Sequence, residues 1–127
     1  MKEKLKIISI NGMYGICRLE KGAKFPLWAI TKDSLYSVTE TADELSVICP
    51  QNRIPHTLKA EKGWRALKIE GPLDFTLTGV LDSILRPLAN LKISVFVHST
   101  YETDYLFIKQ NQFDRVKTEL IKYFDVQ

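Results

Sequence analysis

Thr78-Gly-Val-Leu-Asp-Ser-Ile-Leu-Arg-Pro-Leu-Ala-Asn90, followed by Ile93-Ser-Val-Phe-Val-His98 and then Tyr105-Leu-Phe-Ile-Lys109, decides how this chain folds. Val80, Leu81, Ile84, Leu85, Leu88 and Ala89 recur at the spacing of one helical face, which predicts an amphipathic helix over residues 78–90. Thr78 is placed to cap it, and Asp82 complements the positive end of the helix. Pro87 has no N–H to give, so a kink or loosened turn is expected there. Ile93, Val95 and Val97 alternate with polar or aromatic neighbours and predict a strand. Residues 105–109 predict another. Between them stand six residues rich in hydroxyls and carboxylates, Ser99-Thr-Tyr-Glu-Thr-Asp104.

Working outward, residues 66–70 read as a strand that Gly71-Pro-Leu-Asp74 breaks. Asn111 is expected to cap a last helix over residues 112–124, with Phe113, Val116, Leu120, Tyr123 and Phe124 inward. The second half therefore reads β-α-β-β-α. In the first half, residues 5–10 and 14–19 read as two strands joined at Asn11-Gly12, the strongest hairpin signal in the chain. Phe25-Pro-Leu-Trp-Ala-Ile30 opens a short helix, residues 35–39 and 45–49 are strands, and Pro50 and Pro55 bracket a stretch unfit for a central strand. Residues 59–63 read as a charged connector. A shift of about 60 residues lays Glu44-Leu-Ser-Val-Ile48 over Asp104-Tyr-Leu-Phe-Ile108, with hydroxyl residues before both. The expected fold is α+β: two similar units, residues 1–60 and 61–127, with antiparallel sheets and helices on one face.

The 127 residues suit such a domain, and the 45% apolar and 26% charged fractions exclude a disordered tail or a disulfide-rich scaffold. A net charge of +3 does not announce a nucleic-acid partner, and no apolar run is long enough to span a bilayer. The lysine-rich start, Met1-Lys-Glu-Lys-Leu-Lys6, has no apolar signal core behind it, so a cytoplasmic location is expected. Cys17 and Cys49 fit that setting as reduced thiols, although spacing neither requires nor forbids a bridge between them.

Asp43-Glu-Leu-Ser-Val-Ile-Cys-Pro50 and Gly63-Trp-Arg-Ala-Leu-Lys-Ile-Glu-Gly-Pro-Leu-Asp-Phe75 resemble a family of small bacterial ACT-domain proteins. So do Thr78-Gly-Val-Leu81, Ile93-Ser-Val-Phe96 and Ser99-Thr-Tyr-Glu-Thr-Asp-Tyr105. The resemblance covers about residues 28–124 and extends to CASTOR-type arginine sensors and aspartate-kinase regulatory regions. It implies ferredoxin-like βαββαβ units that bind amino acids or other small effectors between modules. It implies a fold more firmly than a ligand. Many ligand-binding ACT domains carry Asp and Pro before the glycine that opens the first helix, and an Asn in the next strand. Here Leu77-Thr78 precede Gly79, and Ser94 stands in the strand.

An amino-acid ligand needs N–H groups for its carboxylate and a carboxylate for its ammonium. The helix start at Thr78, Gly79, Val80 and Leu81 supplies the first. Asp104, then Glu102, supplies the second, with Ser99, Thr100 and Thr103 orienting the ligand by hydroxyl bonds. The competing explanation is ordinary loop chemistry, because Ser, Thr and Asp readily bond their own backbone. No cofactor is called for. His56 and His98 stand far apart, no cysteine pair has ligand spacing, and no glycine-rich phosphate loop is present. His98 is expected to face solvent or a subunit contact, and Trp28 and Trp64 a core or interface. The scattered Lys2, Lys4, Lys6, Lys59, Lys62 and Arg65 are expected to be solvated. The reading is a non-enzymatic regulatory module for a small molecule, of amino-acid class, working as a homodimer that covers sheet edges. The alternatives are a protein-interaction module without a ligand and a small enzyme acting through Cys49 or His98.

Overall fold

A computed structural model of the protein describes residues 5–70 and 78–127. The Gly71–Asp74 break, Leu77 and the lysines at positions 2 and 4 lie outside the described residues. Among the described residues, seven strands and two α-helices follow in the order β1 (Lys6–Glu20), β2 (Ser37–Glu40), β3 (Glu44–Pro50), β4 (Ala60–Ile69), α1 (Val80–Asn90), β5 (Val95–Ser99), β6 (Asp104–Lys109), α2 (Gln110–Leu120) and β7 (Asp125–Val126). The α+β class read from the sequence is the class observed. Contacts divide the chain into two compact units, residues 12–64 and residues 1–11 with 65–127. Strands β1 and β4 contribute to both.

In the unit of residues 12–64, β3 pairs antiparallel with β1 on one side and with β2 on the other. Leu45, Val47 and Cys49 are buried at alternate positions of β3, as the period of a strand requires. Cys17, Ala29, Val47, Cys49 and Ile54 form its core, with Trp28 and Val38 packed against it. The expected short helix is a single 3-10 turn, Leu27–Ala29, and a second 3-10 turn, Gln51–Arg53, follows Pro50.

In the other unit the strand order is β1-β4-β6-β5, with β7 running parallel to β1. Ile84 and Leu88 of α1 and Phe113, Val116 and Leu120 of α2 bury against Ile7, Leu67, Ile69, Leu106 and Ile108. On the sheet's other face, Phe96 stacks on its register partner Phe107, with ring centroids 4.5 Å apart.

Several expectations need correcting. Asn11-Gly12 is not a hairpin, and β1 runs straight through it. A two-residue type I′ turn needs positive φ at both central residues. Gly12 has φ of 99°, but Asn11 does not have positive φ, so no two-residue turn forms and the strand continues. Residues 60–63 are strand rather than connector, and the Gly63 N–H leaves the ladder to donate to Gln51 Oε1 at 2.8 Å. The N-cap of α1 is Gly79, in the left-handed region at φ 76°, and not Thr78. Helix α2 begins at Gln110, earlier than an Asn111 cap allows, and ends at Leu120. Tyr123 falls in the turn beyond it and is exposed rather than inward. β7, only two residues long, has no sequence period of its own.

Candidate ligand site

The β5–β6 hairpin is built by register. Ser99 stands opposite Asp104, and the Thr100 N–H donates to the Thr103 carbonyl at 2.8 Å. Tyr101 and Glu102 are left exposed at the tip. The Thr103 N–H donates to Thr100 Oγ1 at 3.3 Å, and Thr100 Oγ1 donates to the Thr103 carbonyl at 3.2 Å. The buried Thr103 hydroxyl donates to the carbonyl of Ile69, the last residue of β4. The Ser99 hydroxyl donates to Asp104 Oδ1.

The structure thus brings Ser99, Thr100, Thr103 and Asp104 together in one turn, and ties that turn to the end of β4. It also shows what these side chains bond. Thr103 clasps the turn to β4 through the hydroxyl bond to the Ile69 carbonyl. Asp104 accepts from the Ser99 hydroxyl at one carboxylate oxygen, Oδ1. Glu102 and Thr100 face solvent.

The second group stands at the start of α1, whose chain leaves β4 at Ile69. Thr78 and Gly79 are exposed, while Val80 and Leu81 are half-buried against the core. The Ser83 N–H makes the first helical bond, to the Gly79 carbonyl at 2.9 Å. Having no side chain, Gly79 cannot cap, and among the described residues no side-chain bond to the first-turn N–H groups at the positive end of the helix is seen. A Cβ built on Gly79 meets nothing within 4 Å, so the glycine is set by its backbone conformation rather than by crowding.

The other candidates resolve as follows. Cys49 is fully buried, and burial together with the neighbouring Cys17 pushes its thiol up to about 11, with Arg53 opposing weakly. A thiol held neutral is a poor nucleophile, and His56 is exposed. Cys17 and Cys49 are both buried free thiols, and burial raises Cys17 as well. His98 is half-buried opposite Tyr105 rather than out in solvent. Arg65, expected to be solvated, lies 4.2 Å over the Phe113 ring and donates to Gln110 Oε1 at 3.1 Å. Among the described residues, no three His, Cys, Asp or Glu side chains gather as a metal site, and no helix is long and apolar enough to cross a membrane. Sequence reasoning missed a groove of about 480 Å³ between α1 and the turn after α2, lined in part by Ser83, Pro87, Leu91 and Phe124. The mid-helix proline was its one legible sign.

The ACT domain model matches residues 59–120, and a second model, described as an N-terminal domain, matches residues 12–57. The crystal structure of an Agobacterium tumefaciens protein is 35% identical, superposes with a TM-score of 0.87, and is matched over 95% of this chain and 90% of its own. The crystal structure of aspartokinase alpha and beta subunits shares the fold at 13% identity, with a TM-score of 0.64 over 94% of this chain and 97% of that one. The bovine cytosolic arginine sensor for mTORC1 subunit 1 is 26% identical over 102 residues, 72% of this chain. The chain spans 31% of that protein's length. The β-α-β-β-α order of residues 60–120 falls on the stretch that the ACT domain model matches, and the chain belongs to the ACT-domain family.

Proposed function

We propose that this protein is a non-enzymatic regulatory module that binds a small effector of the amino-acid class. The effector's carboxylate takes the open N–H groups at Gly79, Val80 and Leu81, and its ammonium takes Asp104, with Glu102, Ser99 and Thr100 at the rim. The observation that carries this reading is the uncapped start of α1 in a chain similar to an arginine sensor. Thr78 borders the same helix start. Thr103 joins the same site and ties its turn to β4 through the Ile69 carbonyl. On this reading residues 61–127 form the effector-binding domain, residues 1–60 its partner unit, and the protein works in the cytoplasm.

A thermal-shift screen of the twenty amino acids, arginine first, tests it. A ligand at 100-fold excess over Kd stabilises the folded state by about 2.7 kcal/mol, several degrees of melting temperature. A flat response to all twenty overturns the effector reading.

A second reading is favoured by one observation. Phe25, Leu27, Ile30 and Tyr36 are exposed large hydrophobics, all within residues 25–36. They suit a protein contact, and β2, which among the described residues pairs with β3 alone, stands at the end of the strand order beside them in sequence. On this reading the chain assembles as a homodimer through that segment, with or without an effector. Light scattering at micromolar concentration that returns only a mass near 14.6 kDa refutes the homodimer.

A further inference from the structure

The groove between α1 and the turn after α2 has no role in the reading above. Its volume of about 480 Å³ is within the range of small-molecule sites. Its apolar lining comes from Pro87, Leu91, Tyr123 and Phe124, with the Tyr123 and Phe124 rings edge to face at 6.2 Å. Two charged residues reach it, and each is already neutralised. Arg86 is held in a fork by Asp82 at 3.0 and 3.3 Å, and Glu119 is bonded by Lys122 at 3.0 Å. The groove therefore does not select an ion.

Its polar groups are an acceptor and an amide. In an α-helix the Ser83 carbonyl accepts the N–H of residue 87. Residue 87 is proline, so that bond is not made, and Ser83 and Pro87 both line the groove. The Ser83 hydroxyl gives its proton to the Val80 carbonyl at 2.6 Å and can still accept, but only the carbonyl has lost a helical partner to Pro87. The Asn90 amide lies one turn further along the same lining.

We propose that this groove binds a neutral aromatic ring compound carrying one N–H, which stacks on the apolar lining and donates to the Ser83 carbonyl. Indole is the probe, and 1-methylindole, which has the ring but no N–H, is its control. Both are titrated into the ¹⁵N-labelled full chain and followed by amide shifts. The expected result is saturable shifts confined to residues 83–91 and 119–124, with 1-methylindole about three- to tenfold weaker, the range of one neutral hydrogen bond. Pro87→Ala supplies the missing N–H to Ser83 from within the helix. In that variant the preference for indole over 1-methylindole should vanish while the melting temperature does not fall. Shifts elsewhere, equal affinities in the natural protein, or a preference that survives Pro87→Ala would each overturn the assignment. So would the same amides shifting on dilution without a probe, which would mean that a second copy covers the groove. The amino-acid site reports through residues 78–81 and 99–104, so the two proposals fail separately.

Discussion

Lys92 has φ of 60° immediately after α1, a conformation that L side chains rarely adopt. It is the price of a tight helix stop. The Ile93 N–H reaches back to the Leu88 carbonyl at 3.0 Å and the Lys92 N–H to the Ala89 carbonyl at 2.9 Å, while Leu88 and Ile93 meet in the core. Lys92→Gly keeps both bonds and removes the strain, so a thermal melt should show a gain of about 0.5–1 kcal/mol. Thr103 shows why single residues were only partly legible. In sequence it looks like Thr100, yet its hydroxyl reaches a carbonyl 34 residues away, which no local pattern encodes. Thr103→Val preserves shape and strands that carbonyl, and should cost about 1–3 kcal/mol by denaturant titration. Cys49 predicts a pH dependence. Its thiol holds its proton up to about 11 in the folded state, against 9.0 ordinarily. Between those values the folded state binds more protons than the unfolded one, so stability falls as pH rises from about 9 to 11. Melting curves of the natural protein and Cys49→Ala should diverge in that window, the variant losing less with rising pH.

Elements were legible where one face is buried along a regular period. The α1 pattern predicted its helix to within two residues, and β3 and β6 lay where alternation put them. Legibility failed where a local signal met a long-range demand. Asn11-Gly12 carries real turn chemistry, but β3 pairs with β1 from Tyr14 to Glu20 and draws the chain onward as one strand. Gly12→Ala tests this: a Cβ there has open space, so any loss comes from the positive φ alone and should be about 1 kcal/mol. A hairpin with both central residues at positive φ would also require Asn11 to be left-handed, which it is not. The C-terminal end failed for a related reason. Beyond Leu120 the helical period continues to Phe124, but the Asp125 N–H bonds the Leu5 carbonyl at 2.9 Å and the Gln127 N–H bonds the Ile7 carbonyl at 2.7 Å. Strand pairing ends what periodicity alone would continue.

For the whole molecule, the order β-α-β-β-α was legible because each element carries its own pattern, and the family followed from motifs in sequence order. The division of the chain was less so, because β1 and β4 each serve two compact units and no composition shift marks the crossing. The residue types of the proposed site were legible, and the bonds between them were not. Sequence named the turn at residues 99–104, but only register shows Ser99 holding Asp104 and Thr103 holding β4. That geometry sharpens the central claim. Asp104→Asn keeps an oxygen for the Ser99 hydroxyl while removing the charge, so the free protein should melt nearly as before. Its affinity for an amino-acid effector should fall by about 2–5 kcal/mol, because the ligand's ammonium loses its partner. The deciding measurement is calorimetric titration of the natural protein and Asp104→Asn with the amino acid that most raises the melting temperature, arginine being the first examined. Binding that is tight in the one and at least about thirtyfold weaker in the other is the predicted result. Equal affinities, or no heat from any amino acid, would contradict it.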